Sequence, residues 1–260
     1  MHLWLRSKEW QQFYRISPMQ PLYIIPARGG SKGIPHKNIK NLAGKPLVCY
    51  AIDCARNAGA PDSHIVLSTD DPRIADVARA YGLPVDYMRP AELATDTAGS
   101  REVVIDAMDW ADSRGIAYDC VVLLQPTSPL RQPSDIVGAL SVYDHSLDMV
   151  VSVCESAANP YFTLFETDPT TGFLSVSKGD GRLVRRQDAP HVWEYNGAVY
   201  VINPESIRQK EFGRFERRKP YVMPRERSVD LDTPADWLVA EFLLTNSTID
   251  STESRSVSAE

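Results

Sequence analysis

Residues Leu22 to Lys45, LYIIPARGGSKGIPHKNIKNLAGK, decide how the rest of the chain is read. The apolar run Leu22-Tyr23-Ile24-Ile25 reads as a buried strand. It stops at Pro26 and passes into a loop holding Gly29, Gly30 and Gly33. Arg28, Lys32, Lys37, Lys40 and Lys45 lie in the stretch, with no Asp or Glu among them. The whole chain has a formal charge of −6, so this concentration of cations is local. Glycines let a backbone turn sharply and bring bare N–H groups up to a ligand. Cations on the same loop match a ligand with several negative charges, and a polyphosphate fits that description. Neither G-x-x-x-x-G-K-[ST] nor G-x-G-x-x-G is present, so two familiar phosphate loops are excluded and a flavin or NAD enzyme is disfavoured. Lys40 and Lys45 are expected on a solvated surface.

The surrounding 260 residues are enough for one large core, with room for a small excursion. No apolar run approaches membrane-spanning length, and the acidic balance argues against nucleic acid as a bulk partner. Cys49, Cys54, Cys120 and Cys154 form no C-x-x-C pair, and most sit in apolar segments. They read as reduced core thiols of a cytoplasmic protein. The histidines show no metal-ligand spacing. Residues 1–20 are expected to be an N-terminal extension, loosely attached or preceding a true start at Met19; they lack the pattern of a secretory signal. Residues 245–260, rich in Ser and Thr, read as a disordered tail.

Along the chain, strand and helix patterns alternate. Pro46 to Ala58, Arg73 to Tyr81, Ser100 to Arg114 and Ser134 to His145 read as helices. His64 to Ser68, Val85 to Met88, Asp119 to Leu124 and Asp148 to Cys154 read as strands. The alternation implies parallel βαβ units and a sheet covered on both faces. Such sheets bind ligands beyond the carboxyl ends of their strands, where the glycine loop, Ser68-Thr69-Asp70 and the Gln125 turn should gather. Residues 156–191 change character: short alternating runs and the turn Lys178-Gly179-Asp180-Gly181 read as a β-rich excursion. Asn196 to Ile202 returns to the sheet, and Thr233, Pro234 and Asp236 start a last helix.

IPARGGSKGIPHKNI resembles the signature of the CMP-sialic acid synthetases, the acylneuraminate cytidylyltransferases. The resemblance continues, in family order, at RPAELATDTAGS (Arg89 to Ser100), LLQPTSPLR (Leu123 to Arg131), NGAVYV (Asn196 to Val201) and SVDLDTPAD (Ser228 to Asp236). It covers about Leu22 to Leu244 and departs from the family at Gly99. It implies a Rossmann-like, mostly parallel α/β sheet of the nucleotide-diphospho-sugar transferase type, with the α/β domain over residues 21–155 and 192–244. It also implies that the excursion 156–191 is an arm that builds a homodimer and lends residues to the neighbour's sugar site. The activity implied is transfer of CMP from CTP to an acidic nine-carbon sugar, N-acetylneuraminate first, with legionaminate, pseudaminate or the eight-carbon Kdo as alternatives. A non-catalytic protein on this fold would lack the Arg, the Lys or the two Asp, and all are present.

Attack of a sugar hydroxyl on a triphosphate needs cations, a metal and in-line alignment. Arg28 and Lys37 suit the polyphosphate, one as a planar fork and one as a point charge; the resemblance implies the same, with Ala27, Gly29, Gly30, Ser31 and Lys32 beside them. Asp230 and Asp232 flank Leu231, so an extended backbone points both carboxylates one way. They read as ligands for Mg²⁺, or Asp232 belongs only to the start of the last helix; the resemblance selects the metal. It further implies that Arg89, Asn38 and Ser100 recognise cytosine. Gln125, Arg186, Gln187, Tyr195 and Asn196 would contact the sugar, Arg186 through the sugar's carboxylate. From the residues alone, Arg89 could equally be a surface cation before Pro90 and Gln125 a turn residue before Pro126. No histidine is placed to act as a general base.

Overall fold

A computed structural model describes residues 19–31, 33–95 and 97–246. The expectations for residues 1–18, Lys32 and residues 247–260 lie outside the described residues. The strands are β1 (Pro21–Pro26), β2 (Asn41–Leu42), β3 (Lys45–Pro46), β4 (Ile65–Ser68), β5 (Cys120–Leu123), β6 (Met149–Glu155), β7 (Phe165–Thr167), β8 (Leu174–Val176), β9 (Trp193–Ile202) and β10 (Arg218–Val222). The helices are α1 (Leu47–Asn57), α2 (Pro72–Ala80), α3 (Ser100–Ser113), α4 (Pro133–Val142), α5 (Pro204–Gln209) and α6 (Pro234–Asn246).

The main sheet has the order β10-β6-β9-β5-β1-β4. β1 is parallel to β4 and β5, and β6 is parallel to β10. β9 alone runs the other way, antiparallel to both β5 and β6. It reaches the sheet through the excursion rather than a crossover helix, so it folds back beside β6. Within the excursion β7 and β8 form a small antiparallel hairpin.

Strand side chains alternate between two cores. Tyr23, Ile25 and Val122 join α1, α2 and α4 on one face; Leu22, Ile24 and Val121 join α3 and α5 on the other. A third, smaller core collects Ile34, Leu42, Leu47, Leu231, Trp237 and Ala240. It ties the glycine loop to the segment carrying Asp230 and Asp232.

Several local expectations need correction. Val85 to Met88 is not a strand: Leu83, Val85, Tyr87 and Arg89 are buried in alternation, but the segment joins no ladder. One-sided burial produces that pattern in an extended loop as readily as in a strand. Ser134 does not cap α4. Pro133 fits the first helical position, so Gln132 becomes the cap, and its N–H donates to Asp135 Oδ2 at 2.8 Å. The helix ends at Val142, short of His145. Met19 and Gln20 belong to the fold rather than to an extension, since Gln20 N–H donates to Asp119 Oδ2 at 2.8 Å and Met19 packs on the core. Thr245 and Asn246 likewise complete α6 instead of opening a tail.

Candidate active site

The loop after β1 turns back through His36, whose φ of 53° lies in the left-handed region, into a short turn carrying Lys37 and Asn38. Lys37 Nζ donates to the Leu231 carbonyl at 2.5 Å and lies 3.6 Å from an Asp232 carboxylate oxygen. Gly33 touches the same segment: a Cβ there would collide with the Asp232 carbonyl. The cationic bend and the acidic pair therefore meet directly, across nearly two hundred residues of sequence.

Leu231 explains how the pair is aimed. It is fully buried in the third core, and its N–H donates to the Thr127 carbonyl at 2.9 Å. The two flanking carboxylates are not equivalent. The Asp232 side chain is 76% exposed. Asp230 Oδ1 is buried and has no hydrogen-bond partner among the described residues. Burial raises the Asp230 carboxyl above the usual Asp pKa; the Thr127 hydroxyl pulls it back and neighbouring Asp232 adds to the rise. An orphaned buried carboxylate oxygen beside an exposed one fits a divalent cation with oxygen ligands. Among the described residues no group of three or more ligating side chains forms, so the remaining positions would belong to water and phosphate.

A cavity of about 460 Å³ opens on this junction. Arg28, Ser31, Lys37, Asn38, Arg89, Ser100, Gln125 and Asp232 line it. Arg28 Nη1 donates to the Thr95 carbonyl at 3.3 Å, and Asn38 Nδ2 holds the Arg28 carbonyl at 2.9 Å. Arg89, 6% exposed, donates through Nε to Ser68 Oγ at 3.0 Å and through Nη2 to the Ser68 carbonyl at 2.7 Å. Burial lowers its pKa, yet a guanidinium remains a cation at neutral pH. It is thus a built-in donor on the cavity wall rather than a surface cation. Ser100 opens α3. Gly99 before it leaves space for the Glu102 carboxylate, which a Cβ would strike.

A second cavity, about 680 Å³, shares Asp232 with the first and is lined also by Asp230, Tyr195 and Asn196. Gly197, φ +71°, marks where the two approach each other. A Cβ there would lie 3.2 Å from Gln125 Oε1 and 3.6 Å from Asp230 Oδ2. The left-handed backbone favours glycine here, and a Cβ would also crowd Gln125 Oε1.

Other expected residues fall elsewhere. Ala27, Gly29 and Gly30 do not line the first cavity. Gly29 N–H donates to Asp70 Oδ1 at 2.9 Å and Ser31 N–H to the Gly29 carbonyl at 3.1 Å, so neither amide is bare. Asn196, on the wall of the second cavity, is also held from within the fold: Oδ1 accepts from Ser152 Oγ at 2.6 Å, and Nδ2 donates to Ser228 Oγ at 2.9 Å. Arg186 and Gln187 line neither cavity of the single chain; Arg186 Nη2 donates to the Ala157 carbonyl at 3.0 Å. Thr127 and Gly197 join the site without having been singled out by the sequence, whereas Gly33 and Asp70 lie in the loop and turn expected at this edge. Thr127 and Gly197 sit inside the quoted motif blocks, which was the available signal.

A family model described as Cytidylyltransferase matches residues 22–248. A CMP-N,N'-diacetyllegionaminic acid synthase of Legionella pneumophila is 34% identical over 227 residues, covering 87% of this chain and 97% of that protein. A pseudaminic acid cytidylyltransferase of Campylobacter jejuni is 32% identical over 225 residues, covering 86% and 96%. An N-acylneuraminate cytidylyltransferase of Streptococcus agalactiae is 38% identical over 224 residues, 85% of this chain but 52% of that longer protein. Among solved structures, a CMP:2-keto-3-deoxy-manno-octonic acid synthetase complexed with CTP aligns with a TM-score of 0.63 over 88% of this chain and 99% of that one. At 19% identity that likeness speaks for the fold. The family model spans nearly all of the described fold and the Legionella and Campylobacter relatives align over almost their whole length, so this chain, with its cationic bend and paired acids, belongs to the cytidylyltransferase family and is a nucleotidyltransferase.

Proposed function

We propose that the protein transfers CMP from CTP to the anomeric hydroxyl of a nonulosonic acid, N-acetylneuraminate first, with legionaminate, pseudaminate and Kdo as alternatives. The observation that carries this reading is the junction of Lys37 with Leu231 and Asp232 at the mouth of a cavity that also holds Arg28. Cations on one side and carboxylates on the other suit one metal-bound triphosphate. Arg28 and Lys37 bind the phosphates. Arg89, with Asn38 and Ser100 nearby, faces the base. Gln125 and Asp230 meet over Gly197, between the two cavities, where a hydroxyl must stand to reach the α-phosphorus. The hydroxyl oxygen forms a bond to that phosphorus as the bond to the β-phosphate oxygen breaks; the hydroxyl proton passes to solvent and pyrophosphate leaves.

Asp230 and Asp232 would hold Mg²⁺, which when bound neutralises phosphate charge and acidifies the attacking hydroxyl. Among the described residues no histidine lines either cavity. Arg186 and Gln187, on the excursion, are placed by this reading against a second subunit's sugar. Four free, buried cysteines support a reducing, cytoplasmic setting. Among the described residues no helix is long and apolar enough to cross a membrane.

Pyrophosphate release from each nucleoside triphosphate, against a panel of acidic sugars, tests the proposal. The expected result is release with CTP and a nonulosonic acid. Release with UTP but not CTP overturns the base assignment, and release with Kdo alone moves the substrate.

A further inference from the structure

Arg89 faces the first cavity as a buried cation with no carboxylate against it. Among the described residues it makes no ion pair. Arg28, on the same cavity, adds repulsion, while Asp70 and Asp106 offset it through space. A guanidinium taken out of water in this way depends on fixed acceptors.

Ser68, fully buried at the end of β4, supplies both of them: its hydroxyl takes Nε and its carbonyl takes Nη2. The same carbonyl accepts from Ala27 N–H at 2.8 Å, which ties the clamp to the start of the glycine loop. A guanidinium can only donate, so Ser68 Oγ accepts from Arg89 and turns its own proton toward the Tyr87 hydroxyl. Tyr87 in turn donates to Asp106 Oδ2 on α3. Burial is the main cause that raises the Tyr87 pKa; Asp106 adds to the rise, and the hydrogen bond from Ser68 pulls it back. Each hydroxyl thus has one direction, from Arg89 through Ser68 and Tyr87 to a carboxylate. Bonds in such a chain polarise one another, and this one ends on the negative charge that Arg89 lacks. Held by its Nε side, the guanidinium keeps Nη1 without a partner among the described residues, on the cavity wall.

We propose that Ser68 and Tyr87 are positioning residues which, with Asp106 behind them, aim the outer edge of Arg89 at the base. The inference rests on the proposed role of Arg89. Two adjacent donors match cytosine, whose ring N3 and neighbouring carbonyl both accept. Uracil carries a hydrogen on N3 and meets those donors with a donor of its own.

Steady-state kinetics of Ser68→Ala, Tyr87→Phe and Arg89→Lys test it, with kcat/KM for CTP over UTP as the readout. Tyr87→Phe removes one hydroxyl and leaves the ring beside Trp110, 5.7 Å between centroids, so the packing is kept. The ratio should fall about 10-fold in Ser68→Ala, which loses a bond to the guanidinium itself, and about 3-fold in Tyr87→Phe, which loses a neutral one. KM for the sugar should not change. In the Arg89→Lys background Tyr87→Phe should change the ratio no further, because it acts through the guanidinium. If Arg89→Lys loses the preference for CTP while Ser68→Ala and Tyr87→Phe keep it, this inference is overturned and the role of Arg89 stands. An equal effect of Tyr87→Phe with and without Arg89 also overturns it. If Arg89→Lys keeps the parent's ratio, the base-facing role of Arg89 fails, and this inference with it.

Discussion

Asp230 carries two opposing demands. Its buried, unpartnered oxygen costs stability while the carboxyl is ionised, and the same oxygen is the one a cation would use. A carboxyl whose folded pKa is raised favours folding below its unfolded pKa, and that benefit is lost as pH rises through the folded value. Without metal, then, Asp230 weakens the fold at neutral pH. Asp230→Asn should therefore melt at or above the parent in EDTA at pH 7.5, while its transfer rate falls about 10²- to 10³-fold. Mg²⁺ should raise the parent's Tm more at pH 7.5 than at pH 5 and leave the variant's unmoved. Calorimetric scans with and without Mg²⁺ check this; an equal Mg²⁺ shift in both proteins would contradict it. The D-L-D spacing was legible in the sequence. Which Asp is buried was not, because that depends on Leu231 packing with Ile34 and Trp237 from distant parts of the chain. Gly29 misled for the same reason: its amide is taken by Asp70, from the turn after β4.

At the level of elements, the segment between β10 and α6 is what holds the acids in place. Arg227 fastens it to Asp135 at the start of α4, the helix that follows the Gln125 turn. The Gln125 turn and the segment carrying Asp230 and Asp232 thus share one brace. Removing the cation leaves Asp135, fully buried, without its ion-pair partner. Arg227→Gln should cost about 3 kcal/mol, the lower end for a broken buried pair, since the Arg227 side chain is itself 35% exposed. Urea unfolding gives that number; a loss below about 0.5 kcal/mol, the size of a surface pair, would show that the brace is idle. Helices α1, α2 and α3 could be read from periodicity, with Gly82 and Gly115 at their ends. The reversed direction of β9 could not, since alternation reports burial and not polarity of the chain.

Over the whole molecule, the excursion is one of the parts that a single chain leaves uncovered, α6 with Leu238 and Phe242 being another. Phe173 is 76% exposed, Leu174 69% and Val184 87%, all between β6 and β9. Exposed apolar side chains gathered on one projection mark an interaction surface, and the expected occupant is a second copy. Light scattering at micromolar concentration should give twice the chain mass, and Phe173→Glu with Leu174→Glu should give the monomer. A monomeric parent would remove the arm's expected role at the neighbour's sugar site.

The cationic bend and the paired acids are expected to grip one nucleotide together. Crystals grown with CTP and Mn²⁺, measured for anomalous scattering from the metal, test it most directly. One metal peak is expected beside the Asp230 and Asp232 carboxylates, with the phosphates against Arg28 and Lys37. A triphosphate bound away from Arg28 and Lys37, or a metal peak that touches neither Asp, would contradict it.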